Sequence, residues 1–113
     1  MIPIVSVVGC SGSGKTTYLE KLIPELRGRG YRIGTLKHDV HGFEMDHEGK
    51  DTWRHRKAGA RAIAISAPSR VALIRELDQE LSVDVIAARY FAKDDLLLTE
   101  GYKRGSYPKI EVH

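Results

Sequence analysis

Residues 9 to 17 read Gly9-Cys10-Ser11-Gly12-Ser13-Gly14-Lys15-Thr16-Thr17. The spacing G-x-x-x-x-G-K-[ST] is that of a phosphate-binding loop, and its reading depends on a strand before it and a helix after it. Both are legible. Ile2 to Val8 is a short apolar run rich in β-branched residues, as in a buried parallel strand. Leu19, Leu22, Ile23 and Leu26 then recur at i, i+3, i+4 and i+7, one face of a helix expected over about residues 15–27. Pro24 should kink its last turns, and Gly28 and Gly30 should end it.

The residue types suit a polyphosphate. Several negative charges in a row need many donors at close range. Gly9, Gly12 and Gly14 let the backbone curl so that N–H groups around Ser11 and Ser13 point inward. A helix N-terminus adds its dipole and its unpaired donors, here from Lys15, Thr16 and Thr17. Lys15 is expected to reach the β- and γ-phosphates, and the Thr16 hydroxyl to ligate Mg²⁺. Cys10, the single cysteine, reads as a small residue filling a gap in this loop.

The chain has 113 residues, enough for one α/β core, with 42% hydrophobic and 29% charged residues. One cysteine rules out an intrachain disulfide framework, which points to the cytoplasm. No run approaches the ~18 apolar residues of a membrane span, and the first residues carry no basic segment of a signal peptide. A net charge of +3 is mild. Neither a membrane nor a nucleic acid is expected as partner. The local group Arg54, Arg56, Lys57 and Arg61 is served as well by an anionic small ligand.

Downstream, Tyr31 to Lys37 reads as a second strand, completing a right-handed parallel βαβ unit. Residues 38–51 are polar and aperiodic, a loop leaving the strand edge where open α/β sheets bind ligands. It reads as a substrate- or Mg²⁺-facing switch; its three histidines are weak grounds for zinc. Asp51 to Ala60 is expected as a short basic helix with Asp51 as N-cap. Residues 61–67 and 70–75 read as strands whose link is too short for a crossover, hence an antiparallel hairpin. Apolar residues at 77, 81, 85, 88 and 91 give a helix, and Leu96 to Glu100 a buried parallel strand. Glu100 ends that strand where a second Mg²⁺-side acid is needed; Asp95 lies at the far end and reads as a cap or turn residue. Lys109 to Val112 begins another strand, whose edge invites pairing with a second copy. These elements add up to a three-layer α/β, P-loop NTPase-like fold: a mostly parallel sheet with an antiparallel hairpin, residues 1–113 forming one nucleotide-binding domain.

Together these residues resemble the molybdopterin-guanine dinucleotide biosynthesis protein B family. The resemblance runs from Gly9–Thr17 through Lys37, His38, His41, Phe43 and Asp46 to Gly49-Lys50-Asp51-Thr52 with Arg54-His55-Arg56. It closes on Glu100-Gly101-Tyr102-Lys103 and Pro108-Lys109-Ile110-Glu111. It implies a cytoplasmic, dimeric accessory protein that binds GTP with Mg²⁺ and hydrolyses it weakly. The implied partners are the molybdopterin guanylyltransferase and molybdopterin itself. Asp46 becomes a second Mg²⁺-side or water-positioning acid, and Lys50 and Arg54 anion contacts. Two departures stand out: Glu48 occupies the place where the family often has proline, and the segment following Glu111, expected to carry nucleobase contacts, is short or missing. No Asn-Lys-x-Asp guanine motif is present, so GTP over ATP follows from the family and not from the residues. Two other classes stay open: an ATP-dependent small-molecule kinase or ligase of the dethiobiotin-synthetase-like branch, and an adaptor without chemistry of its own.

Overall fold

In chain order the elements are β1 (Ile4–Val8), α1 (Lys15–Gly28), β2 (Ile33–Lys37), α2 (Asp51–Lys57), β3 (Ala62–Ala67), β4 (Arg70–Arg75), α3 (Val83–Tyr90), β5 (Leu96–Glu100) and β6 (Lys109–Glu111). They come from a computed structural model that describes all residues, 1–113. Two units divide the chain: residues 1–41 with 82–113, and residues 42–81.

The first unit is a four-stranded parallel sheet in the order β2-β5-β1-β6. Alternation along the strands builds its two faces. Ile4 and Leu97 join Val83 and Ala87 of α3 on one side; Val7 and Leu98 join Leu19 of α1 on the other. The result is the expected three layers. Leu97, Leu98 and Val7 are almost wholly buried, each worth about 1.5–3 kcal/mol of apolar burial. Ser6 and Thr99, opposite one another, are buried too and satisfied by a 2.8 Å hydrogen bond from Thr99 Oγ1 to Ser6 Oγ.

β1 and β2 are parallel, as expected, and β5 lies between them. In that register the apolar Leu97 and Leu98 of β5 stand opposite Gly34 and Thr35 of β2. Several expectations need correction. α1 runs through Gly28 and is closed by Gly30 at φ 92°, with N–H groups of Gly30 and Tyr31 bonding back to the carbonyls of Arg27 and Leu26. That is the two-bond glycine stop of a Schellman cap. The third helix begins at Val83, not Leu77, with the Ser82 hydroxyl accepting from Val85 N–H at 3.2 Å. Its buried positions are Val83 and Ala87, whereas Val85 and Ala88 face outward. The apolar spacing at 77, 81, 85 and 88 thus picked the wrong stripe, and the serine cap was the better signal. Asp95 anchors the start of β2 by accepting from the Arg32 N–H at 2.7 Å.

In the second unit, β3 and β4 form the expected antiparallel hairpin, a separate two-stranded sheet joined by Pro68-Ser69. α2 contains Asp51 as its first residue; the N-cap is Lys50, whose side chain makes no capping bond. The Asp51 carboxylate therefore acts within the first turn of the helix, where the dipole favours it.

Candidate functional site

The sequence around Gly9 folds as a turn from the end of β1 into α1. Gly12 and Gly14 adopt φ of 79° and 99°, which side chains disfavour. Gly14 is the N-cap of α1 and offers no side chain to satisfy the first turn, which also holds no acid. The early N–H groups therefore remain donors for an outside anion. Gly9 is needed for space: a Cβ there would stand 2.4 Å from the Val112 carbonyl oxygen and 2.6 Å from Ser13 Oγ. Inside the turn, Ser13 N–H donates to the Cys10 carbonyl at 3.0 Å. The Ser13 hydroxyl is buried without a protein partner; it lies on the Val112 side of the turn and does not line the cup. Cys10 is exposed rather than filling a gap; its carbonyl, not its thiol, holds the turn.

A cavity of about 520 Å³ opens over this turn, lined by Ser11, Gly12 and Gly14 to Thr17, with Lys37 and Glu100. Glu100 is carried in from the end of β5, which pairs with β1 at Val7 and with β2 at Lys37. Its Oε1 accepts from Thr16 Oγ1 at 3.1 Å. A hydroxyl and a carboxylate this close are hard oxygen donors. Their number suits Mg²⁺, which takes few protein ligands and completes its shell with water and phosphate. No group of three or more His, Cys, Asp or Glu side chains gathers anywhere to make a closed metal site. Lys37 was not singled out for this site by its sequence. The signal was available, since it ends β2 as Glu100 ends β5.

The other expected contacts lie in the second unit. Asp46 Oδ1 accepts from Thr52 Oγ1 at 2.9 Å and Oδ2 from Arg56 Nε at 3.3 Å. Arg56 also binds Glu44, and that hydrogen bond first, then the charges of Glu44 and Asp46, hold its guanidinium above its ordinary pKa. Lys50 caps α2 through its backbone and Arg54 is exposed on it. Of the basic helix face, Arg56 is thus spent internally, while the Lys57 ammonium lies over the Trp53 ring at 5.3 Å from its centroid.

A parallel sheet whose first strand runs through a glycine turn into a helix, with a hydroxyl and a strand-end acid together at its mouth, defines a P-loop NTPase-type protein. Comparison with known proteins narrows this. The family model described as MobB, molybdopterin guanine dinucleotide synthesis protein B, matches residues 4–113, and the chain belongs to that family. It is 42% identical over 113 residues to the molybdopterin-guanine dinucleotide biosynthesis adapter protein of Haemophilus influenzae, covering 99% of this chain and 64% of that one. It is likewise 42% identical to the Escherichia coli adapter protein, covering 97% and 65%. The crystal structure of Bacillus subtilis MobB superposes with a TM-score of 0.81 at 37% identity, over 99% of this chain and 68% of that one. The chain thus spans just under two thirds of the length of these curated relatives.

Proposed function

We propose that this chain is the nucleotide-binding part of an adapter protein in molybdopterin-guanine dinucleotide biosynthesis, one that binds GTP with Mg²⁺ and hydrolyses it slowly. The observation that carries this reading is the glycine-lined cup with Thr16 and Glu100 bonded at its mouth. Backbone donors of Gly9, of Ser11 and Gly12, and of Gly14 to Thr17 would receive the phosphates, with Ser13 holding the turn beneath them, and Lys15 the charge at the β–γ bridge. Thr16 and Glu100 would hold Mg²⁺, which when bound offsets charge on the phosphate oxygens. Asp46, Lys50 and Arg54 are assigned by family resemblance as a water-positioning acid and two anion contacts. We take both units as parts of one nucleotide-binding domain.

The guanine preference rests on the family, and the proposed partners are the molybdopterin guanylyltransferase and molybdopterin. A homodimer is favoured by the hairpin. Ile65, Val71 and Leu73 are 54%, 71% and 46% exposed on a two-stranded sheet, apolar surface that a second copy would cover. A cytoplasmic location fits a lone, unpaired cysteine, and no helix is long and apolar enough to cross a membrane.

Titration with GTP and with ATP, each with Mg²⁺, tests the reading. Tighter binding of GTP is expected; equal binding, or none, removes the guanine claim. Slow hydrolysis independent of any acceptor is expected, and turnover that requires a phosphate acceptor would select the kinase or ligase class instead.

A further inference from the structure

A second cavity, of about 790 Å³, shares Ser11 and Lys15 with the phosphate cup. Gly9 apart, the nucleotide reading makes no use of the rest of its wall. One side is the chain leaving β2, with His38 and His41; the other is the turn after β5, with Tyr102, Lys103 and Arg104.

That turn is built at a conformational cost. Gly101 has φ 109°, and a Cβ there would stand 3.3 Å from His38 Cβ. Tyr102 follows at φ 58°, the only positive value at a non-glycine residue in the chain. A tyrosine in the left-handed region is strained and persists only where its surroundings hold it. Here the Tyr102 ring stacks on His38, with centroids 4.5 Å apart and planes at 21°. The Tyr102 carbonyl closes the turn by accepting from Gly105 N–H at 2.9 Å. Lys103 and Arg104 are left exposed on the turn, with no carboxylate in ion-pairing reach. The cavity's one acid is Asp39, and its Oδ1 already accepts from His41 N–H at 2.9 Å.

With Lys15 given to the cup, Lys103 and Arg104 against one acid favour an anion, and a stacked ring pair in the same wall favours a flat group. The volume is that of a small-molecule site. We propose that this cavity binds a phosphate monoester carried on a planar heterocycle, with Lys103 and Arg104 on the phosphate and the His38–Tyr102 pair against the ring. That the ligand sits beside a nucleotide rests on the reading of the phosphate cup; the cavity's own chemistry does not.

Flavin mononucleotide is a suitable probe, because its flat ring fluoresces and its phosphate is a monoester. With the full chain and saturating Mg²⁺–GDP, it should bind with quenching, and riboflavin and glycerol 3-phosphate should each bind about tenfold more weakly. Lys103→Ala with Arg104→Ala, both exposed, should cost about tenfold or more. Tyr102→Gly suits φ 58° and removes the ring without backbone strain; it should bring the probe to the affinity of glycerol 3-phosphate. Gly14→Ala, strained at φ 99° and lining only the cup, should weaken nucleotide and leave the flavin within about twofold. Probe binding that is absent, indifferent to Lys103 and Arg104, or displaced by nucleotide overturns the proposal. Equal affinity for glycerol 3-phosphate overturns its ring component. Loss of nucleotide binding with the flavin retained would break only the reading of the cup.

Discussion

The two units treat charge in opposite ways. In the second unit Arg56 is enclosed by Glu44 and Asp46, with Glu76 at 3.9 Å, and its side chain is 15% exposed. Its charge is consumed in holding residues 42–56 together. In the first unit Lys15, Lys37, Lys103 and Arg104 line cavities without any carboxylate partner. Unpaired cations converging on an open cavity cost repulsion unless an anion arrives. The lesson is that basic residues near one another in sequence, as at Arg54 to Arg61, say less about binding than basic residues brought together from separate strand ends.

The contrast can be broken most sharply at Lys15. Lys15→Ala should weaken nucleotide binding by about 100-fold or more, by the loss of charge-assisted bonds, with the unfolding midpoint unchanged. Unaltered titration curves would show that the cup is not the nucleotide site. The core beneath that cup comes next. Thr99→Val strands the buried Ser6 hydroxyl and should destabilise the first unit by about 1–3 kcal/mol, measured by urea unfolding; a neutral result would mean Ser6 has another partner.

Asp46→Asn sharpens the comparison from the other side. Asn keeps one acceptor but loses the charge that faces Arg56, so the midpoint should fall by a few degrees. A fall in the hydrolysis rate with midpoint and GTP affinity intact would instead place Asp46 on the nucleotide. The smallest effect is expected at Tyr107, whose hydroxyl donates to Asp84 at 2.7 Å. That bond, then burial, raises the phenol above its ordinary value of 10.0. The bonded form is the protonated one, so its contribution is complete below about pH 10 and lost as pH rises beyond the raised value. Tyr107→Phe should cost about 0.5 kcal/mol, an exposed bond being at the low end, and should flatten the alkaline decline; an unchanged decline removes this account.

The loop at Gly9–Thr17, the strand before it, the helix after it and Glu100 were all legible, because each is a local pattern with its own chemistry. Lys37 was overlooked although it obeys the same strand-end rule. The start of α3 was misplaced because apolar residues at helical spacing outweighed the Ser82 cap. His38 and Tyr102 could be quoted as part of a family resemblance, yet nothing in their types announces that they stack.

Local sequence alone determined the phosphate loop, the hairpin and the layered α/β class. Each follows from spacing, glycine freedom and periodicity within a few residues. Only the tertiary structure decided that β5 lies between β1 and β2, and that the loops after β2 and β5 share one cavity. Strand order depends on which apolar faces bury best against one another, and that competition takes place between segments more than sixty residues apart in the chain, as at Gly34 and Leu97.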